Sequence, residues 1–143
     1  MKFIPIAKIK MKLTLLLSLL LWHVAQAQEA SFTSSVSKNR IVVGEQFQLS
    51  FSINTNASNF NAPDLSNFVV YSGPNQSSSM QIINGSVSQT ISISYVLAAK
   101  KEGKFSIGAA NIQVGNKLLN TKPITIEVGK GNGQSNQQGS GNN

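Results

Sequence analysis

Between Phe32 and Val128 the apolar side chains recur at every second position. That is the period of an extended strand with one buried face, not the period of about 3.6 residues of a helix. In QFQLSFSIN, Phe47, Leu49, Phe51 and Ile53 alternate with Gln48, Ser50 and Ser52. PITIEV repeats the pattern with Ile124, Ile126 and Val128, and FTSSVS is a weaker copy built on Phe32 and Val36. No window carries a helical period, because Ser, Thr, Asn and β-branched residues fill the gaps between apolar positions.

The stretch YSGPNQSSSMQIINGSVSQTISISY, residues 71–95, tests this reading through its register. Asn84-Gly85 suits a two-residue hairpin turn, since both residues tolerate positive φ. The pairing then predicted is Ile83 with Ser86, Ile82 with Val87, Met80 with Gln89 and Ser78 with Ile91. Met80, Ile82, Val87, Ile91, Ile93, Tyr95 and Leu97 fall on one side, interrupted by Gln89, and this side is expected to pack. The other carries Ser79, Gln81, Ser86, Ser88, Thr90, Ser92 and Ser94, broken by Ile83 and Val96, and is expected to be wet. Gly73-Pro74 is expected to end the strand FVVYS, because proline has no N–H for the ladder. The serine run is no nucleotide loop: a phosphate cradle needs a strand feeding a helix, with Lys and Ser or Thr after the glycines.

Further turn signals at Gly44, Asn61 to Pro63, Glu102-Gly103 and Gly115-Asn116 give about seven or eight short strands at sandwich spacing. The sequence therefore predicts one all-β domain over residues 28–128. Residues 129–143 then hold no apolar side chain that could offset their ordering entropy, and read as a flexible Gly/Asn/Gln/Ser tail or linker.

Residues 1–27 read as a secretory signal peptide. Four lysines precede an apolar block from Leu13 to Val24, and Ala25-Gln26-Ala27 forms an Ala-x-Ala cleavage site before Gln28. The block is short for a bilayer span, which needs about 20 residues. Met11 opens a complete signal on its own. Cleavage removes Lys2, Lys8, Lys10 and Lys12 and leaves eight basic groups against five acids, so the formal charge falls from +7 to +3. The high isoelectric point is thus largely an export label, and nucleic-acid binding is not expected. The only histidine and the only tryptophan, His23 and Trp22, leave with the same peptide, and the chain has no cysteine. An exported domain without disulfides must live on its core, and roughly 100 residues suffice for one.

Taken together, the segments VGEQFQLSFSIN, APDLSNFVVYSGP, ISYVLAAKKEGKFSIGAANI and KPITIEV, the last running into the Gln/Asn/Gly-rich linker, resemble the first extracytoplasmic domain of BatD, the oxygen-tolerance or aerotolerance proteins. The resemblance covers residues 31 to about 138. It implies an exported immunoglobulin-like antiparallel β-sandwich without catalytic residues to carry over, in proteins that continue into similar domains and a C-terminal membrane anchor. Antibody-type hallmarks are missing: there is no Cys pair or core Trp, and Phe105 stands in KEGKF where related sandwiches often place a tyrosine.

The inventory after Ala27 is poor in catalytic groups. Without His or Cys, no Ser-His-Asp or Cys-His set can be assembled, and zinc and copper lose their usual ligands. The acids Glu29, Glu45, Asp64, Glu102 and Glu127 are scattered, which argues against a glycosidase pair or a calcium loop. No enzymatic activity, cofactor or metal is expected. Candidate partner contacts are Glu45 at a strand entrance, the cluster Lys100, Lys101 and Lys104, and Tyr71. Ser88, Thr90 and Ser92 join them as hydroxyls able to meet a partner strand or a polysaccharide. Each also has a plainer role: a solvated turn carboxylate, lysines serving solubility, a strand tyrosine with a buried ring, a wet sheet face. The sequence thus predicts a periplasmic or cell-envelope interaction module with a protein partner. A carbohydrate-binding or adhesin-like surface domain is the alternative on the same scaffold.

Overall fold

A computed structural model describes residues 29–131 together with Pro5. The expected leader and most of the expected tail lie outside the described residues. Ten strands follow in order. They are β1 (Phe32–Val36), β2 (Arg40–Val42), β3 (Gln46–Ile53), β4 (Ser58–Asn61), β5 (Phe68–Ile83), β6 (Ser86–Ala99), β7 (Gly103–Ile107), β8 (Asn111–Val114), β9 (Lys117–Asn120) and β10 (Ile124–Gly129). They form a four-stranded sheet in the order β1-β3-β6-β5 and two three-stranded sheets, β2-β10-β7 and β4-β8-β9.

The all-β, sandwich-like architecture follows from the alternation. In β3, Phe47, Leu49, Phe51 and Ile53 are buried and the residues between them are not. In β10, Ile126 and Val128 are buried and Ile124 half-buried. One core joins all three sheets: Leu49, Phe51, Ile93 and Leu97 from the large sheet meet Ile41, Ile107, Ile112 and Ile126 from the two small ones. Aromatic contacts bridge the layers, Phe60 of β4 lying 5.2 Å from Phe51 between ring centroids and Phe105 of β7 lying 6.1 Å from Phe68. Phe105 thus contributes packing at the KEGKF corner rather than a hydroxyl tie.

Four features differ from the sequence expectations. Ten strands replace seven or eight, because β2, β4, β8 and β9 are only three or four residues long and too short to show alternation. One pairing is parallel, β10 with β2, in an otherwise antiparallel fold. Gly129 belongs to β10, opposite Val42, so the ordered domain runs past Val128.

The fourth concerns Gly73-Pro74, which does not end a strand. β5 runs unbroken through it for 16 residues, taking up two register shifts between Val70 and Asn75. Bulges let the ladder absorb a proline and a residue at positive φ without separating the strands. The Gly73-Pro74 peptide is cis.

Candidate functional site

The hairpin of β5 and β6 has the predicted register: Ile83 faces Ser86, Ile82 faces Val87, Met80 faces Gln89 and Ser78 faces Ile91. Asn84 and Gly85 both take positive φ in its turn. Its packing departs from expectation. Ile93, Tyr95 and Leu97 are buried and Ile91 half-buried, but Met80, Ile82 and Val87 are 65%, 69% and 59% exposed.

The cause is the length of the neighbouring strand. β3 pairs with β6 only from Ile91 to Ala98, so Ser86 to Thr90 have β5 alone beside them. The end of the hairpin is a two-stranded ribbon projecting about 17 Å, five residues at about 3.4 Å each. Alternation gave it an apolar face, and no second layer reaches far enough to cover that face.

This ribbon holds Met80, Ile82, Ile83 and Val87, half of the exposed large apolar side chains among the described residues; Val69, Val70 and Tyr71 lie on β5 nearer the body, and Leu118 on β9. The ribbon also has no charge. From Leu65 to Ala99 there is no Asp, Glu, Lys, Arg or His. β5 is moreover an edge strand. Exposed edges ordinarily carry charges, prolines or bulges that discourage pairing. Here the bulges and Pro74 guard only the part near the body, and residues 75–83 form a regular, uncharged edge.

At the base of the ribbon a pocket of about 140 Å³ opens between the sheets, lined by the apolar Ile53, Phe60, Ile91, Ile93 and Ile112 and by the polar Ser58, Asn59 and Gln76. The opposite face of the large sheet carries rows of hydroxyls. Thr33, Ser52, Ser92 and Ser77 lie side by side across four strands, and Ser35, Ser50, Ser94 and Asn75 form the next row. Ser52 and Ser92 are 3.4 Å apart between hydroxyl oxygens.

The candidate residues named from sequence do not converge on one spot. Tyr71 sits at the first bulge, 58% exposed, so its ring is not buried as a plain strand tyrosine would be. Ser88, Thr90 and Ser92 lie on the hydroxyl face, Ser88 and Thr90 close to the ribbon end. Glu45 turns inward on its own loop: its Oε2 accepts from Val42 N–H at 3.0 Å and its Oε1 from Lys38 Nζ. These bonds hold its carboxyl below the ordinary value.

The lysine cluster is divided. Lys100 Nζ donates to Ser66 O at 2.7 Å, and Lys104 pairs with Glu127 at 3.2 Å, while Lys101 is exposed in the turn. Lys104 and, secondarily, Arg40 depress the Glu127 carboxyl. Ser66 does the same to Asp64 through its backbone N–H and then its hydroxyl. Burial pushes the Tyr95 hydroxyl up. Among the described residues no three His, Cys, Asp or Glu side chains gather as metal ligands would.

Reasoning from sequence singled out these residues and missed the ribbon. One sequence signal could have found it: the uncharged run from Leu65 to Ala99.

The model of one protein family, described as the BatD DUF11 like domain, matches residues 34–128. The chain belongs to the BatD family. That stretch holds Ser34 to Val36 of β1 and every strand after it, up to Val128 of β10. No curated protein and no solved structure matches the chain. BatD domains are extracytoplasmic, and among the described residues no helix is long and apolar enough to cross a membrane.

Proposed function

We propose that this BatD domain is a non-catalytic, exported protein-interaction module of an oxygen-tolerance protein. It works in the periplasm or cell envelope once the leader has been cleaved near Ala27. The observation that carries the reading is the ribbon: an uncharged, apolar, two-stranded projection with an open edge, on a body whose acids are each tied to local structural partners or scattered. A rigid sandwich supplies the preorganised base, and the edge supplies main-chain hydrogen bonds for strand addition, with side-chain contacts setting selectivity.

The test is capture from envelope extract by the immobilised chain and by its Ile82→Lys variant, which puts a charge on the apolar face. A defined protein retained by the first and lost by the second supports the reading. Retention of nothing, or of glycans in a manner abolished by Tyr71→Ala, overturns it in favour of a carbohydrate-binding surface.

A further inference from the structure

The ribbon's edge is specific enough to name an occupant. In a two-residue hairpin the residues flanking the turn, here Ile83 and Ser86, exchange both backbone bonds, and bonding alternates along the strand from there. Ser79 and Gln81 therefore bond to β6. Gln76, Ser78, Met80 and Ile82 turn their N–H and C=O groups outward, along an edge with no neighbour. A two-stranded ribbon is marginal in water without a further strand or layer, and this one holds Met80 and Ile82 exposed on the same side as the pocket at its base.

We propose that the outward edge of β5 pairs with β5 of a second copy of this chain, antiparallel about a two-fold axis at Ser79. The proposal rests on the reading of the ribbon as a docking element and names its partner. The register follows from the bonding pattern. Placing Ser79 opposite its own copy sets Gln76 against Ile82 and Ser78 against Met80, so all four outward residues pair with one another. Shifting the axis toward Ser78 runs Ile82 onto Pro74, which has no N–H, and shifting it toward Met80 runs Gln76 onto the turn residue Asn84.

The same register makes chemical sense of the pocket. Gln76 lines it, beside Ile93 on β6. The Ile82 and Val87 side chains of the second copy would extend that row on the same face, next to the isoleucines of the pocket. The charge pattern agrees, since a strand with no acidic or basic side chain over its whole length brings no like charges together when it meets itself. Two-fold pairing uses up both edges and closes, rather than propagating as a fibre. Residues 132–143 hold no apolar side chain that could cover Met80 or Ile82. A lipid surface fits less well, because the tip lacks basic and aromatic side chains and its open peptide groups could not be satisfied in hydrocarbon.

The chain contains no cysteine, which makes the test clean. In the chain from Gln28 to Asn143, whose core lies wholly within Phe32 to Val128, Ser79→Cys is expected to give a disulfide-linked dimer on mild oxidation. Thr33→Cys, on the far edge strand, should not. Sedimentation should show a dimer that dissociates in the micromolar range, as befits an interface of one strand pair. Ser78→Pro, which removes an outward N–H and leaves the β6 ladder intact, should weaken it at least tenfold with the thermal midpoint unchanged. If that variant unfolds, Met80→Lys serves instead.

A monomer at several hundred micromolar, or Ser79→Cys linking no faster than Thr33→Cys, overturns the proposal. So does a monomer that floats with phosphatidylethanolamine–phosphatidylglycerol vesicles. A monomer that still captures an envelope protein, and loses it on Ile82→Lys, overturns self-pairing and leaves the interaction-module reading standing.

Discussion

Gly73 lies directly against Tyr95: a β carbon on the glycine would stand 2.8 Å from the ring's Cδ1 and 2.9 Å from the tyrosine Cα, with Ser94 O at 2.7 Å. Its φ of 117° is one that side-chain-bearing residues rarely adopt. The bulge that carries β5 past Pro74 therefore depends on this glycine. Gly73→Ala should destabilise the domain by about 3 kcal/mol, combining backbone strain with the displacement of Tyr95. Urea unfolding would measure it, and a loss under about 0.5 kcal/mol, the range of an ordinary surface substitution, would show that the bulge can be rebuilt without it.

Thr121 is the one buried polar residue among the described residues, and its hydroxyl accepts from Ala110 N–H at 3.0 Å while its own N–H donates to Ala110 O at 2.9 Å. Thr121→Val keeps the shape and orphans a buried donor, at a cost of about 1–3 kcal/mol. Thr121→Ser keeps the oxygen and should recover a good part of that loss. Equal destabilisation by both would assign Thr121 to packing alone.

Glu45, Glu127 and Asp64 all have carboxyls held below their ordinary values. A depressed folded-state pKa means that the ionised form is favoured by folding. The resulting stability is complete above the unfolded-state value, 4.5 for Glu, and drains away as pH falls through the lower folded value. The thermal midpoint should accordingly decline on acidification below about pH 4.5. Glu45→Gln should lower the midpoint at neutral pH and flatten the acid limb. If the variant and the parent show the same acid slope, the bonds from Lys38 and Val42 to this carboxylate do not contribute.

Exposure separates the ribbon from the core in energy as well as in space. Leu49→Ala, at a position with no exposed surface, should cost about 2–5 kcal/mol. Met80→Ser and Ile82→Ser should each stay within about 0.5 kcal/mol in the monomer, as surface substitutions do. Destabilisation of several kcal/mol at Ile82 would mean that the ribbon is folded against the body in solution.

The local grammar of the chain was legible residue by residue. Phe47 to Ile53 alternated and became β3; Asn84-Gly85 marked a turn and set the pairing of Ile83 with Ser86. The candidate site was less legible. Glu45 and Lys104 looked available for partners, yet Lys38 and Val42 engage the first within its own loop, and Glu127 engages the second from a strand 23 residues further on. Nothing in the order of residues announces the pairing of Lys104 with Glu127.

Two-residue periodicity and turn chemistry act over a few bonds, so they alone determined that this chain is all-β and which side chains share a face. Whether a face is covered depends on where other strands stop. Ile93 and Ile82 lie on the same face of the same hairpin, and only the tertiary structure decided that one is buried and the other bare, because Phe60 and Ile112 of the second layer reach the first, while both that layer and β3 stop short of the second. The parallel pairing of β2 with β10 and the open edge of β5 were settled in the same way, by contacts between segments that the sequence keeps apart.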